Sequence, residues 1–251
     1  MVNMIMHGCN GRMGHVIVDL CREYEDVTIV AGVDAFGESN YDFPVFRSLA
    51  ECDVKADVVV DFSSAAAVDG LLDYCAAKEL PVVLCSTGLS PEQLDKVKET
   101  SKKTAVLRSA NMSVGINALL KVLREVSPLF AEAGFDIEIV EKHHNQKLDS
   151  PSGTAIALAD AINDSLTEKY DYVYDRSQRR EKRPVKEIGI SAVRGGTIVG
   201  DHDVIFAGHD EVVTISHRAY SRAIFGKGAI EAARFLAGKK PGMYDMADVL
   251  A

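Results

Sequence analysis

The chain has 251 residues, 47% of them hydrophobic and 26% charged, the balance of a soluble globular protein with enough length to bury a substantial core as one large or two smaller domains. Lys and Arg total 28 against 37 Asp and Glu, and a formal charge of −9 gives no general electrostatic reason to expect nucleic acid or an anionic membrane as partner, so a small anionic ligand would need a local basic pocket. Cys9, Cys21, Cys52, Cys75 and Cys85 are odd in number and form no C-x-x-C pair, which predicts a reducing, cytoplasmic setting without a disulfide framework or a zinc site.

The opening residues 1–6 lack a basic segment followed by a long apolar run, so no signal peptide is expected. No segment approaches the roughly 18 unbroken apolar residues of a membrane span. Short apolar runs then alternate with amphipathic stretches, the pattern of β-α units feeding a parallel sheet. Strands are predicted over 2–7, 27–33, 58–61, 82–85 and 105–107, and helices over 13–24, 65–78 and 91–102. Ser90 as N-cap, Pro91 at the first helical position and Gln93 mark the start of the third helix.

From Ser113 the pattern changes to a helix over 117–130, an alternating strand over 136–141, a turn-rich loop to Gly153 and a helix over 154–166. Strands dominate next, over 188–193, 197–205 and 211–216, with Gly195, Gly196 and Gly208 between them, which favours a mixed sheet with helices on one face. The basic run from Arg176 to Arg183 contains Glu181 and no aromatic residue, so it reads as a solvated loop. An amphipathic helix over 224–237 has the character of a segment returning to the first domain. Two units follow: residues 1–112 with 223–251 as a dinucleotide-binding domain, and 113–222 as a substrate-binding domain.

The first strand runs directly into Gly8-Cys9-Asn10-Gly11-Arg12-Met13-Gly14, a G-x-x-G-x-x-G variant of the dinucleotide fingerprint at a strand-to-helix turn. Glycines suit this place because side chains would block the tight turn and keep the backbone from a pyrophosphate seated on the helix N-terminus. Asp34 stands at the end of the next strand, 20 residues beyond Gly14, where an acid binds the adenosine ribose hydroxyls. A carboxylate there leans towards NADH, because it repels a 2′-phosphate. Arg12, close by in the loop, could pair with that phosphate, so NADPH stays open.

The run Glu141-Lys142-His143-His144-Asn145-Gln146-Lys147-Leu148-Asp149-Ser150-Pro151-Ser152-Gly153-Thr154 supplies a proton donor, fixed positive charge and the free N–H groups of a helix start. That combination suits an anionic substrate. Adjacent strand residues face opposite ways, so His143 and His144 are not expected to chelate one metal. Two segments should lie at the carboxyl edge of the first sheet, where doubly wound folds bind ligands: Cys85-Ser86-Thr87-Gly88 and Ser109-Ala110-Asn111-Met112-Ser113.

The glycine cradle, the E-x-H-H-x-x-K-x-D-x-P-S-G-T run, Asn111 to Asn117, and the closing Tyr244-Asp245-Met246 with Asp248-Val249-Leu250 together resemble the dihydrodipicolinate reductase family along essentially the whole chain. The resemblance implies a Rossmann-type doubly wound parallel sheet plus an α+β substrate and oligomerisation domain with a mixed sheet, in a homotetramer. It implies that Gly8, Cys9, Asn10, Gly11, Arg12, Met13, Asp34, Cys85, Ser86, Thr87, Ser109, Ala110, Asn111 and Met112 contact NADH or NADPH. It further makes His143 a proton donor or acceptor and Lys147 a second donor, with His144, Gly153 and Thr154 on the carboxylates of a small dicarboxylate substrate. Asp61-Phe62-Ser63 resembles the family's D-F-T loop. Cys85 and Ser86 stand where Gly and Thr are usual, and no Arg follows Asp34.

Two rival readings are discriminable. A semialdehyde dehydrogenase would use Cys85 as nucleophile beside a Rossmann domain. A non-catalytic NAD(P) sensor would bind dinucleotide without turnover, against which the concentrated His/Lys site of the second domain argues.

Overall fold

The computed structural model describes residues 1–37 and 41–251. Its chain divides into two compact units, residues 1–114 with 223–251, and residues 115–222.

In the first unit a sheet of seven strands carries helices. In chain order the elements are β1 (Val2–His7), α1 (Arg12–Cys21), β2 (Val27–Val33), β3 (Val45–Phe46), a 3₁₀ turn (Leu49–Glu51), β4 (Val58–Asp61), α2 (Ala65–Lys78), β5 (Val82–Leu84), α3 (Pro91–Ser101) and β6 (Ala105–Leu107). All strand pairs are parallel and the spatial order places β4, β1 and β2 side by side, so the chain reverses its winding at β1. Central strands in such a sheet are buried on both faces, which is why β1 is apolar over Met4–Met6, β4 over Val58–Val60 and β5 over Val82–Leu84. Met4, Met6, Val58 and Val60 pack on one face with Ile17 and Ile230, while Ile5, Val59, Val82 and Val106 pack on the other with Leu71, Leu72 and Val97.

The chain re-enters this unit through α6 (Ala223–Leu236), followed by β12 (Gly242–Tyr244) and α7 (Met246–Val249). A Cβ at Gly226 would stand 2.9 Å from Leu20, and one at Gly228 would coincide with the Met112 carbonyl, so two glycines let α6 lie against the body of the unit. β12 adds a parallel edge to β6. Strands of two or three residues, such as β3 and β12, carry no detectable periodicity and were absent from the expected elements.

The second unit contains α4 (Val114–Glu132, which begins one residue before the unit boundary), β7 (Asp136–His143), α5 (Gly153–Ser165), β8 (Asp171–Val173), β9 (Glu187–Arg194), β10 (Gly200–Ala207) and β11 (Val212–Ala219). The five strands order β11-β10-β7-β9-β8 with antiparallel β10 pairs and parallel β9 pairs, the mixed sheet expected. Leu119, Leu123, Leu158 and Ile162 of the two helices cover Ile137, Ile139, Ile190, Val204 and Phe206. On the opposite face lie Val140, Val193, Ile205 and Val212.

The basic run is solvated over residues 177–182, as expected, but its ends are tied down. It is a loop, yet Arg183 donates to the Asp136 and Glu138 carboxylates and to the Ile137 and Glu187 carbonyls, while Arg176 and Arg179 pair with the buried Glu187 carboxylate. Three arginines thus tie the loop to β7 and β9. Charged hydrogen bonds are worth about 1.5–3 kcal/mol each where water is partly excluded, so Arg183→Met should lower stability by about 2 kcal/mol. Urea unfolding that shows no loss would mean these contacts are solvent-equivalent.

Candidate active site

The first unit holds a cavity of about 760 Å³ at the carboxyl ends of β1, β2 and β4, where the winding reverses. Gly8, Asn10, Gly11, Asp34, Phe36, Arg47, Phe62, Ser63 and Ser64 are among its walls. Gly8 has φ +83°, and a Cβ there would stand 2.8 Å from the Phe62 carbonyl. At Gly14 it would be 2.3 Å from the carbonyls of both Gly8 and Cys9. At Gly11 the nearest atom is the Gly8 carbonyl at 3.2 Å, and the position faces open space beyond it. The Gly11 N–H donates to the Gly8 carbonyl at 3.1 Å, and no side chain caps the N–H groups that follow it in the first turn of α1. This arrangement fits a pyrophosphate.

Asp34 is buried at the end of β2, and its two oxygens accept from the backbone N–H groups of Asn10 and Phe36 at 3.1 and 3.0 Å. The carboxylate is thereby fixed in the cavity wall. Arg12 is exposed on α1 and is not one of the lining residues, whereas the Arg47 guanidinium lies over the Gly37 turn, 3.3 Å from where a Cβ would stand. Sequence reading offered no signal for Arg47, since its approach depends on the short β2–β3 pairing.

The other expected cofactor residues divide. Cys9 is buried against Gly32, and burial pushes its thiol up to about 11, so it is a core residue with a backbone on the loop. Met13 is half-buried on α1. Cys85, Ser86 and Thr87 follow β5, and Ser109, Ala110, Asn111 and Met112 follow β6; none is part of the cavity wall. Met112 is buried with its carbonyl against Gly228, and Asn111 accepts from the Ser113 N–H at 2.8 Å. Burial and then the charge of Asp61 raise the Cys85 thiol well above its ordinary value, which removes the thiolate that a nucleophilic role would require. Beneath the glycine loop, His7 and the fully buried Asp61 are joined at 2.8 Å, and Ser63 donates to the same oxygen.

The second unit holds the histidine site. Strand alternation puts Glu141 and His143 on one face of β7, both buried. His143 Nδ1 lies 2.6 Å from Glu141 Oε2. Arg194, at the end of β9, grips both Glu141 oxygens at 2.7 Å, and the Ser152 N–H donates to Oε1 at 2.9 Å. Burial alone would raise Glu141, but these donors hold it below the usual carboxylate value. Burial outweighs the pull of Glu141 on His143, whose imidazole is lowered and stays neutral at pH 7 in the free site. His202 of β10 stands edge-on to His143 at 5.2 Å between centroids, meets the Ser152 hydroxyl at 3.1 Å, and is pushed down to about 4 by burial.

Lys147 pairs with Asp149 at 2.9 Å and is mostly buried. The Asp149 carboxyl is lowered by Lys147 first, and also accepts from the Gly153 N–H. Ser152 caps α5 by accepting from the Ala155 N–H, which leaves the helix to open with Gly153 and Thr154. His144 lies beyond the end of β7, with its carbonyl taking the Lys147 N–H. The structure thus brings His143, Lys147 and the α5 start together around Glu141. Glu141 was not singled out from the sequence, whose expected strand ended at 141; β7 runs on to His143, and the missed signal was the two-residue spacing that puts both on one face. Arg194 and His202, by contrast, reach the site through cross-strand register, which no local pattern announces.

Residues 2–112 match the N-terminal domain of dihydrodipicolinate reductase and residues 115–250 its C-terminal domain. The chain belongs to the dihydrodipicolinate reductase family. It is 54% identical over 250 residues to a 4-hydroxy-tetrahydrodipicolinate reductase from Caldanaerobacter subterraneus subsp. tengcongensis, covering 100% of this chain and 98% of that one. A Clostridium tetani protein of the same name is 51% identical over 98% of this chain and 96% of its own. In fold, the chain resembles a dipicolinate-bound dihydrodipicolinate reductase from Paenisporosarcina sp. TG-14, with TM-score 0.80 at 23% identity and full coverage of both chains. Members of the family are oxidoreductases that use a nicotinamide cofactor, and the semialdehyde dehydrogenase alternative falls on this match as well as on the protonated Cys85 thiol.

Proposed function

We propose that this chain reduces 4-hydroxy-tetrahydrodipicolinate, or the dihydrodipicolinate it gives on losing water, to tetrahydrodipicolinate with NADH or NADPH, on the diaminopimelate route to lysine. The observation that carries the reaction is identity above 50%, along nearly the entire length of both chains, to reductases bearing that substrate's name. Residue roles rest on the site's chemistry. The first unit is assigned to the dinucleotide and the second to the dicarboxylate.

When bound, the reduced nicotinamide supplies a hydride to the conjugated imine of the substrate ring. His143 donates the proton that the resulting electron-rich enamine requires. An anionic substrate adds negative charge near the imidazole and raises its pKa from the depressed value of the free site, so the proton is taken up as the substrate arrives. Lys147, His144 and the N–H groups of Gly153 and Thr154 hold the substrate carboxylates, which displace Asp149 from its pairing with Lys147 and Gly153.

Coupling the enzyme to an upstream dihydrodipicolinate synthase with pyruvate and aspartate semialdehyde, and following cofactor absorbance, tests the reaction. Oxidation of NADH or NADPH is the expected result; oxidation of neither would sink the reading and leave a dinucleotide-binding sensor. Asp34 favours a free 2′-hydroxyl while Arg47 supplies a cation for a 2′-phosphate, so both cofactors should be used. Arg47→Ala should raise the KM for NADPH several-fold and leave that for NADH unchanged; equal changes would remove Arg47 from that role. The exposed Val193 and Val212, set among Glu138, Lys142 and Asp203 on the sheet face away from α4 and α5, support a homotetramer built through this sheet. The reducing chemistry and free cysteines support a cytoplasmic setting.

A further inference from the structure

Glu141 is fully buried, anionic and held by three separate donors, yet it would touch no reacting atom in the mechanism above. A carboxylate taken out of water is costly unless it is paired and hydrogen-bonded on every side, so its place beneath His143 demands an account. We propose that Glu141, clamped by Arg194, is the positioning residue that fixes the ring and tautomer of His143, keeping a hydrogen on Nδ1 and presenting Nε2 as the atom that carries the catalytic proton. This rests on the reading of His143 as proton donor.

The geometry selects the nitrogen. Nδ1 faces a carboxylate oxygen that can only accept, so the hydrogen must reside on Nδ1 in the neutral ring. Nε2 faces Gly200 of β10, where a Cβ would stand only 3.0 Å away, so the glycine leaves that nitrogen clear. The bidentate grip of Arg194 prevents the Glu141 carboxylate from swinging, and the Ser152 N–H joins it to the loop that opens α5, the loop that also carries Lys147. Glu141 therefore references the proton donor and the carboxylate-binding helix to one fixed point. During turnover the Nε2–H bond breaks as the ring C–H bond forms, the other hydrogen stays on Nδ1 and is donated to the Glu141 carboxylate, and water returns a proton to Nε2 afterwards.

The charges facing His143 are Glu141 on its own strand, Arg194 from β9, Lys147 from the following loop, and the neutral His202 from β10 with His217 of β11 beyond it. Loss of the Glu141 charge should lower the imidazole pKa, and loss of the Arg194 charge should raise it. A general acid works below its pKa, so the alkaline limb of kcat moves with it. A pair that merely ties β7 to β9 would move neither limb.

The test measures kcat and KM across pH for the full chain as wild type, Glu141→Gln, Arg194→Met and the double variant, with ¹⁵N-histidine NMR of each and His143→Gln to assign the signals. Glu141→Gln should lose about tenfold or more in kcat with KM within about threefold, because a carboxamide can also donate to Nδ1 and admit the wrong tautomer. Its alkaline limb should move to lower pH, that of Arg194→Met to higher pH, and the Nδ1–H signature of His143 should weaken when Glu141 is replaced. Unmoved limbs with an unchanged tautomer would overturn the proposal. If Glu141→Gln alone does not fold, the charge-free double variant must show the same tautomer loss, or the proposal fails. Wild-type kcat in His143→Gln would instead overturn the proton-donor reading, while the wild-type NMR tautomer still reports on Glu141 separately.

Discussion

His143→Gln should lower kcat by about a hundredfold or more while leaving dinucleotide affinity unchanged. The glutamine preserves a polar group of comparable reach but cannot deliver a proton near neutral pH, so the loss isolates proton donation from binding. The dinucleotide cavity is built wholly from the other unit, which is why its affinity should not respond. Lys147→Ala should behave differently, raising substrate KM as well as lowering kcat, because a cation that neutralises a carboxylate acts in both the bound and the transition state. Substrate-saturation kinetics with each variant separate the two signatures. Wild-type kcat and KM in both would sink the assignments together.

That site was half legible in the amino-acid sequence. His143, Lys147 and the Ser152-Gly153-Thr154 helix start lie within one run, and their chemistry can be listed without knowing the fold. The supports come from elsewhere: Arg194 from 51 positions beyond His143 and His202 from 59, brought in by the parallel pairing of β7 with β9 and the antiparallel pairing with β10. Register between strands is a tertiary property, and sequence periodicity fixes only which face each residue takes. The basic run shows the same boundary. Composition made it a solvated loop, which residues 177–182 are, whereas Arg183 folds inward onto the acceptors at the start of β7 and the Glu187 carbonyl, a contact set by tertiary packing.

The doubly wound unit was more legible, since two-sided burial writes central strands as apolar runs and the glycine loop sits between one of them and an amphipathic helix. Its edges were not. β3 and β12 are too short for a pattern, and the cavity residue Arg47 follows one of them.

The same loop separates two reasons for a glycine. Gly14→Ala should impair both folding stability and dinucleotide binding, whereas Gly11→Ala should impair binding alone. At Gly14 the added carbon would lie 2.3 Å from two backbone carbonyls, which cannot rotate aside as a side chain would. Either α1 must retreat from the loop or the loop must open, and overpacking of this kind costs about 1–3 kcal/mol or more. Moving the loop also moves the N–H groups that face the pyrophosphate, so cofactor affinity should fall about tenfold to a hundredfold as the strain is shared between stability and site. At Gly11 the added carbon meets one carbonyl at 3.2 Å and otherwise projects into open space, leaving the fold intact. There it would obstruct the phosphate itself. Thermal unfolding and NADH fluorescence titration of the two variants distinguish the cases: a Gly11→Ala enzyme that binds NADH normally would show that the second glycine serves the turn and not the cofactor, and a Gly14→Ala enzyme of unchanged stability would show that the loop yields more easily than its backbone contacts imply.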